Sequence, residues 1–363
     1  MANIPQPQLP EISATGNIPV ATTRPGEIQI SQSNNPGTIS APENPNRPKP
    51  FAKVQSEVQG LVVSRLDNGD MAGQTLDIIA TVSPSGNPND PAAFVGSAIG
   101  PEMRTSLQEA IRAIQVRYPT WGNGTIQISF GDEYSQKDGG SAGAAFALLF
   151  LSELENFDID NQFAITGEIT TDWKFRPVGG VAAKIQGAVD NGCKAVILPE
   201  ANLQQVQDAI LLNGQDTAWK IQIFTEPDLQ HAEALIRSDR AKNLQQAIDL
   251  FSKVQDEFGN KGDAALYDPQ VIGELKQVLA LAPEMESAQY LLEESQGKEP
   301  RNLSDFASEY EAIVHIYPIQ DLIFSDKNVV INRTTLPSLV VDKMRRNLGQ
   351  LRDISPDDTV PLI

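Results

Sequence analysis

One stretch of this sequence restricts the fold more than any other, the apolar run at residues 144–151. None of its residues is polar, so a helix formed here is apolar on every side. A surface helix keeps one polar face, whereas a helix that is apolar all round must be covered all round. We therefore expect this helix at the centre of a folded domain.

Strand and helix patterns alternate on both sides of this run, which predicts an α+β or α/β layered domain. Apolar or alternating runs predict strands at 60–64, 75–82, 124–130, 163–169, 195–199 and 219–224. Apolar residues at helical spacing, bounded by Gly or Pro, predict helices at 103–118, 142–154, 181–190 and 203–212.

With 363 residues, the chain is longer than one compact domain usually is. Residues 1–52 are rich in Pro, Asn and Ser and predict a disordered arm. The layered domain then covers 53–234, and 235–363 forms a smaller helical domain. Its predicted helices are 243–258, 269–282, 286–294, 303–316 and a basic helix around Met344–Arg346, with a strand at 329–331. Residues 278–291 resemble the seam between two tetratricopeptide repeats.

Charge and cysteine content exclude several functions. The net charge of −19 argues against nucleic acid and anionic membranes as partners, because both select clustered Lys and Arg. A single cysteine, Cys193, excludes an internal disulfide framework, and the two histidines, His231 and His315, make a metal site unexpected. We expect no cofactor. The sequence has no apolar run long enough to span a membrane and no secretory signal, which favours the cytoplasm, although removal of a signal leaves the same pattern.

Ser141 stands among glycines, just before the apolar run, and is a candidate nucleophile. The segment 139–143 matches the G-x-S-x-G pattern of the α/β-hydrolases, but the residues before it are polar, whereas that pattern needs a buried strand there. An esterase of the α/β-hydrolase type also requires a catalytic histidine after the serine, and neither His231 nor His315 is well placed for this role. Two alternatives stay open for Ser141: a simple helix cap, and a nucleophile beside free N–H groups that stabilise an oxyanion.

Lys184 is a second unusual residue, because it shares a predicted helical face with Val181, Ile185 and Ala188. A long lysine side chain on such a face can reach the surface while its stem stays buried. If the amine is buried instead, its pKa falls and it becomes a base at neutral pH. A serine paired with a lysine of lowered pKa is a known route to nucleophilic catalysis without histidine.

Four blocks of sequence together are similar to the proteolytic domain of the Lon protease family. The blocks are KDGGSAG at 137–143, AITGEIT at 164–170, RPVGGVAAK at 176–184 and GCKAVILP at 192–199. Each block is weak alone, but their order and spacing are specific, and the likeness extends over about 57–230. The resemblance implies a Lon-type α+β fold and a peptidase activity.

The resemblance also implies roles for individual residues. Ser141 and Lys184 would form a catalytic dyad, in which Ser141 attacks a peptide carbonyl and Lys184 accepts its proton. Thr166 would orient Lys184. Three further positions, Asp138, Gly139 and Gly140, would line the oxyanion region, and Glu168 would shape the cleft.

The chain departs from the family pattern at several positions. Gly140 stands where proline is common, which predicts a more flexible loop, and Gln127 and Ser129 stand where bacterial members carry histidines. No G-x-x-x-x-G-K-[ST] phosphate-binding motif occurs in the sequence, so we expect no ATPase to act in cis. The family assembles as hexameric rings, but without the ATPase domain a ring, a smaller homo-oligomer and a monomer all stay open here.

The leading hypothesis is therefore an ATP-independent, Lon-like serine endopeptidase that acts on unfolded or flexible polypeptides. The alternative is a catalytically silent Lon-fold scaffold, whose helical C-terminal domain binds a partner. The presence of both Ser141 and Lys184 favours the enzyme, because a scaffold needs neither.

Overall fold

The computed structural model describes residues 51–66, 71–84, 93–96, 99–119, 124–131, 137–313 and 338–356. Residues 1–50 of the arm predicted at 1–52, the predicted strand at 329–331 and His315 lie outside these residues. The arm was predicted two residues too long, because Phe51 packs against the core and the Ala52 N–H donates to the Glu153 carbonyl at 2.7 Å. Within the described ranges, no helix is both long enough and apolar enough to cross a bilayer.

Nine strands form a seven-stranded mixed sheet and a small hairpin in the described part of the chain. They are β1 (Gln55–Arg65), β2 (Met71–Pro84), β3 (Ala93–Val95), β4 (Gly124–Phe130), β5 (Phe163–Ile165), β6 (Glu168–Ile169), β7 (Phe175–Arg176), β8 (Ala195–Pro199) and β9 (Gln222–Glu226). The large sheet has the order β3-β4-β2-β1-β5-β8-β9, and β6 pairs with β7 alone. Strands β1, β2 and β4 pair in antiparallel fashion, whereas β1, β5, β8 and β9 pair in parallel.

Six α-helices belong to the sheet region in the part of the chain that the structure describes. They are α1 (Pro101–Arg117), α2 (Gly143–Glu155), α3 (Val181–Asp190), α4 (Leu203–Asn213), the short α5 (Thr217–Lys220) and α6 (Leu229–Ile236). Helix α2 contains the apolar run and packs against β1, β2, α1 and α6. Every residue from Gly143 to Leu154 is buried, so the central helix expected from the sequence is confirmed. Together, the mixed sheet and its helices confirm the predicted α+β class.

Two predicted strands differ in the structure. The strand expected at 163–169 divides into β5 and β6, because the chain bends at Gly167 to bond the start of α2. The Gly167 N–H donates to the Ser141 carbonyl at 2.9 Å, and the Gly167 carbonyl accepts from the Ala144 N–H at 3.0 Å. The strand expected at 219–224 begins later, at Gln222, because residues 217–220 complete a helical turn. Helix α6 was not predicted.

The C-terminal part is helical. Its helices are α7 (Lys242–Lys261), α8 (Pro269–Leu281), α9 (Glu286–Glu294), α10 at residues 305–313 and α11 (Ser338–Asp353). Helix α9 attaches to the edge of the sheet through Ser287, whose hydroxyl accepts from the Ile223 N–H at 3.0 Å and donates to the Ile221 carbonyl at 2.7 Å. Helices α7 to α9 share one continuous hydrophobic core with the sheet. A domain boundary at 234/235 and a tetratricopeptide-like arrangement remain predictions.

Candidate active site

A cleft of about 420 Å³ opens beside the end of β1, where that strand extends beyond its pairing with β5. Strands β1 and β2, the beginning of α1, the loop before α2 and the beginning of α3 form its walls. Ser141 and Lys184 both line this cleft. The structure thus brings together the two residues that the sequence singled out, although 43 positions separate them (184 − 141).

Lys184 reaches the cleft because α3 lies very close to β2. A Cβ atom added to Gly73 on β2 would lie 1.8 Å from the carbonyl oxygen of Ala183, and one added to Gly187 on α3 would lie 2.3 Å from the carbonyl carbon of Gly73. Only glycine permits this approach of two backbones. Gly180, at the start of α3, has a left-handed φ of 68°.

The Lys184 side chain is buried, with 3% of its surface exposed. Its Nζ atom donates a hydrogen bond to the Thr166 hydroxyl at 2.9 Å. Burial lowers the pKa of Lys184 to about 8, and the nearby Glu168 carboxylate opposes that shift. The alternative in which this lysine reaches the surface is therefore wrong, and a substantial share of its amine is neutral at slightly alkaline pH.

Ser141 lies in a 3₁₀ turn, Gly140–Ala142, that leads into α2. Its hydroxyl makes no hydrogen bond to any described residue, and no side chain caps either the turn or α2. The simple cap that the sequence left open is thus absent. The Ser141 main chain is held instead by Gly167 N–H and by the Thr166 hydroxyl, which lies 3.4 Å from the Ser141 carbonyl oxygen.

The loop before Ser141 is fixed by hydrogen bonds from α1. The Asp138 carboxylate accepts from the Met103 N–H at 3.0 Å and from the Gly139 N–H at 2.9 Å, and these bonds lower the pKa of Asp138. The Ser106 hydroxyl donates to the Gly140 carbonyl at 2.7 Å. These contacts tie the loop to α1 despite the glycine that replaces proline.

Two amides of this loop remain available for a ligand. The Gly139 N–H is already donated to Asp138, whereas neither the Gly140 N–H nor the Ser141 N–H bonds another described residue. Both belong to the first turn of a helical segment, where N–H groups carry partial positive charge. These two N–H groups are the available donors nearest in sequence to the Ser141 side chain, beside which an oxyanion would form.

Glu168 also lines the cleft, and a Cβ on Gly140 would lie 2.7 Å from one of its carboxylate oxygens. The glycine therefore makes room for this carboxylate at the cleft wall.

Gln127 and Ser129 on β4 do not line the cleft, and His231 lies exposed on α6, paired with Asp228 at 2.6 Å. In the described residues, no group of three or more His, Cys, Asp or Glu side chains could hold a metal ion.

Sequence reasoning missed two residues of this site. One is Ser106, and the signal that could have found it is a hydroxyl on the buried face of α1, between Met103 and Leu107. Tyr310, on α10, also lines the cleft. Nothing in the sequence indicated that this distant helix would reach the site.

The cleft holds a serine with an unbonded hydroxyl and a buried lysine whose pKa is lowered, which are the types of group that nucleophilic hydrolysis without histidine uses. Residues 51–215 match the family model of the Lon protease (S16) C-terminal proteolytic domain. The likeness to this proteolytic domain therefore covers the part of the chain that contains Ser141 and Lys184.

Similar proteins cover the same region. The archaeal Lon protease of Thermococcus kodakarensis is 31% identical over 169 residues, which are 46% of this chain and 25% of that protein. The archaeal Lon protease of Archaeoglobus fulgidus is 31% identical over 189 residues, which are 51% of this chain and 29% of that protein. A Lon protease of Mesomycoplasma hyopneumoniae is 31% identical over 185 residues, 47% of this chain and 21% of that protein. This chain spans roughly a quarter of the length of the relatives that it matches.

Proposed function

We propose that this protein is a serine endopeptidase that cleaves unfolded or flexible polypeptides with a Ser141–Lys184 dyad and without ATP. The observation that carries this proposal is the buried Lys184 amine, whose pKa is lowered to about 8 and which shares a cleft with the unbonded Ser141 hydroxyl. A scaffold would gain nothing from a buried amine, since burying a charge costs stability.

The proposed reaction has two halves. The Ser141 Oγ atom attacks the peptide carbonyl carbon while the neutral Lys184 amine takes its proton, and the oxyanion that forms accepts hydrogen bonds from the Gly140 and Ser141 amides. The C–N bond then breaks, and Lys184 gives its proton to the leaving amine. In the second half, Lys184 takes a proton from a water molecule, whose oxygen attacks the acyl-serine carbonyl carbon. The C–Oγ bond then breaks, Lys184 returns the proton to Ser141, and the carboxylic acid product leaves.

Thr166 serves as a positioning residue in this scheme. Its hydroxyl accepts from Lys184 and also lies near the Ser141 carbonyl oxygen, so it links the two halves of the dyad. Accurate placement of a base is worth orders of magnitude in rate.

The ATP-independent part of the proposal rests on the sequence. The 363 residues hold no phosphate-binding motif, so this chain has no means of its own to unfold a substrate by ATP hydrolysis. Polypeptides that are already unfolded are then its natural substrate class.

The test is cleavage of fluorescein-labelled casein without nucleotide. We expect the wild-type protein to cleave it, and Ser141→Ala and Lys184→Met to lose activity by about 10³-fold or more. Ser295→Ala, at the C-terminal cap of α9, and Lys276→Met, on the exposed side of α8, are matched controls and should retain full activity. Circular dichroism checks that each variant is folded. Absence of cleavage by the wild type, with or without ATP, would favour the scaffold.

A further inference from the structure

Helix α10 is anchored beside the sheet domain at its N-cap residue, Ser304. The buried Asp208 carboxylate on α4 accepts from the Ser304 N–H at 2.8 Å and from the Ser304 hydroxyl at 2.7 Å. The Ser304 hydroxyl in turn accepts from the Ala307 N–H at 3.2 Å, as a helix N-cap does. The direction in which α10 leaves α4 is therefore fixed.

One face of α10 is packed and the opposite face is open. The packed face forms a small core with α4 and α11, built from Leu303, Ala307, Ala312, Leu211, Leu212 and Leu351. On the open face, Phe306 is 70% exposed, Tyr310 48% and Ile313 62%. Their spacing of four and three residues places them side by side on the helix. We call these three residues the aromatic patch.

The aromatic patch is continuous with the cleft. Tyr310 lines the same cavity as Ser141 and Lys184, and the Phe306 ring stacks on the Tyr310 ring with centroids 6.2 Å apart. Met71, 42% exposed on β2, adds another apolar side chain to the cleft wall. Apolar surface thus runs from the cleft onto the outside of α10.

The charges around the cleft indicate what this surface accepts. Among the described residues that line the cleft, Glu102, Asp138 and Glu168 carry carboxylates and Lys184 carries the one amine. Glu309 is exposed next to Tyr310. Carboxylates attract Lys and Arg side chains, and aromatic rings bind both apolar side chains and cations.

We propose that the aromatic patch is an accessory binding site for unfolded polypeptide segments that combine apolar side chains with Lys or Arg, and that Tyr310 guides them into the cleft. This inference rests on the proposed peptidase function and names its substrate class. Extended segments of this composition are exposed in unfolded chains and buried in folded ones.

The test measures binding separately from cleavage, in the full-length Ser141→Ala protein. The probe is a fluorescein-labelled 20-residue peptide of Leu, Phe, Gly and Ser with four Lys, and its binding is followed by fluorescence anisotropy. We expect Phe306→Ser with Tyr310→Ser to raise the Kd about ten-fold or more. Tyr267→Ser is the matched control, because Tyr267 is 75% exposed and does not line the cleft, and it should leave the Kd unchanged.

A second peptide, with Glu in place of each Lys, should bind the Ser141→Ala protein about ten-fold more weakly than the first. Equal binding of the two peptides, or an unchanged Kd in the Phe306/Tyr310 variant, would overturn the inference. Faster casein cleavage after the same two substitutions in the wild-type background would also overturn it, since α10 would then be a cover over the cleft. A failure of the peptidase proposal would be seen in a different assay, because the wild-type protein would then not cleave casein.

Discussion

The Nζ atom of Lys184 lies 2.9 Å from the Oγ1 atom of Thr166, and both side chains are buried. The same Thr166 hydroxyl lies 3.4 Å from the main-chain oxygen of Ser141. One threonine thus touches both residues of the proposed dyad. It holds the amine of a flexible side chain in one place, next to the turn that presents the serine.

Removing the Thr166 hydroxyl tests this positioning role. We expect Thr166→Val, which keeps the shape of the side chain, to lower kcat about 10- to 100-fold, because Lys184 loses its fixed orientation. A hydrogen bond donated by an ammonium group favours the charged form, so the same change should shift the pH midpoint of activity to lower pH. The measurement is kcat/KM for a fluorogenic peptide as a function of pH.

Thr166→Ser is the control for this change, since it restores the hydroxyl and should recover most of the activity. If serine rescues no better than valine, Thr166 acts through packing alone.

The pH dependence of cleavage follows from the Lys184 amine. Its pKa is lowered to about 8 by burial, and only the neutral form accepts a proton. We expect kcat/KM to rise about ten-fold per pH unit below pH 8 and to level off above it. A profile that stays flat between about pH 6 and pH 10 would argue against a lysine base.

Most of the elements around the site were predictable from the sequence. The bounds of two elements follow directly from the sequence pattern: β4 (Gly124–Phe130), where apolar and polar residues alternate, and α3 (Val181–Asp190), where apolar residues recur at helical spacing. Both patterns arise because each element has one buried face. The presence of Ser141 and Lys184 in one cleft was also predictable, from an unusual serine and a lysine on an apolar face. These features are local patterns of residues, and such patterns can be seen in the sequence alone.

The remaining features depend on distant contacts. The break at Gly167 arises from its two hydrogen bonds to the start of α2, which no local pattern encodes. The meeting of Gly73 and Gly187 requires two segments to pack first. Tyr310 lines the cleft on a helix whose start is bonded to Asp208 on α4, 96 positions away from Ser304.

The close approach of α3 and β2 predicts a stability effect. Gly73→Ala places a methyl group within bonding distance of the Ala183 backbone, so α3 must move away from β2. We expect the free energy of unfolding to fall by about 3 kcal/mol and cleavage to be lost as Lys184 is displaced. Urea denaturation and the casein assay measure the two effects.

Gly273→Ala is the matched control for Gly73→Ala. Gly273 lies inside α8 with open space around its Cα, so alanine there should stabilise the protein by about 0.5–1 kcal/mol. Equal effects of the two substitutions would contradict the packing argument.

A buried carboxyl outside the cleft predicts a second pH effect. Burial, together with the nearby Glu284, Asp228 and Glu200, raises the pKa of Glu226 from 4.5 to about 8. The pKa of Glu226 is higher in the folded protein than in the unfolded chain. The contribution of its protonated carboxyl group to stability is therefore fully present below pH 4.5 and is lost as the pH rises toward 8. We expect Glu226→Gln to raise the free energy of unfolding by about 1–3 kcal/mol near pH 8 and to change it little near pH 4.

Urea denaturation at the two pH values measures this difference. Glu257→Gln, on the exposed side of α7, is the control and should show no gain at pH 8, because Glu257 forms an ion pair with Lys261. A Glu226→Gln variant that is no more stable than wild type near pH 8 would contradict the argument.

Labelling with a fluorophosphonate tests the dyad most directly, because this probe reacts only with an activated serine. The wild-type protein and Lys184→Met are incubated with the probe at pH 9, digested and analysed by mass spectrometry. The dyad predicts an adduct on Ser141 in the wild type and at least about 100-fold less of it in Lys184→Met. An unlabelled Ser141 in the wild type, or equal labelling of the two proteins, would contradict it.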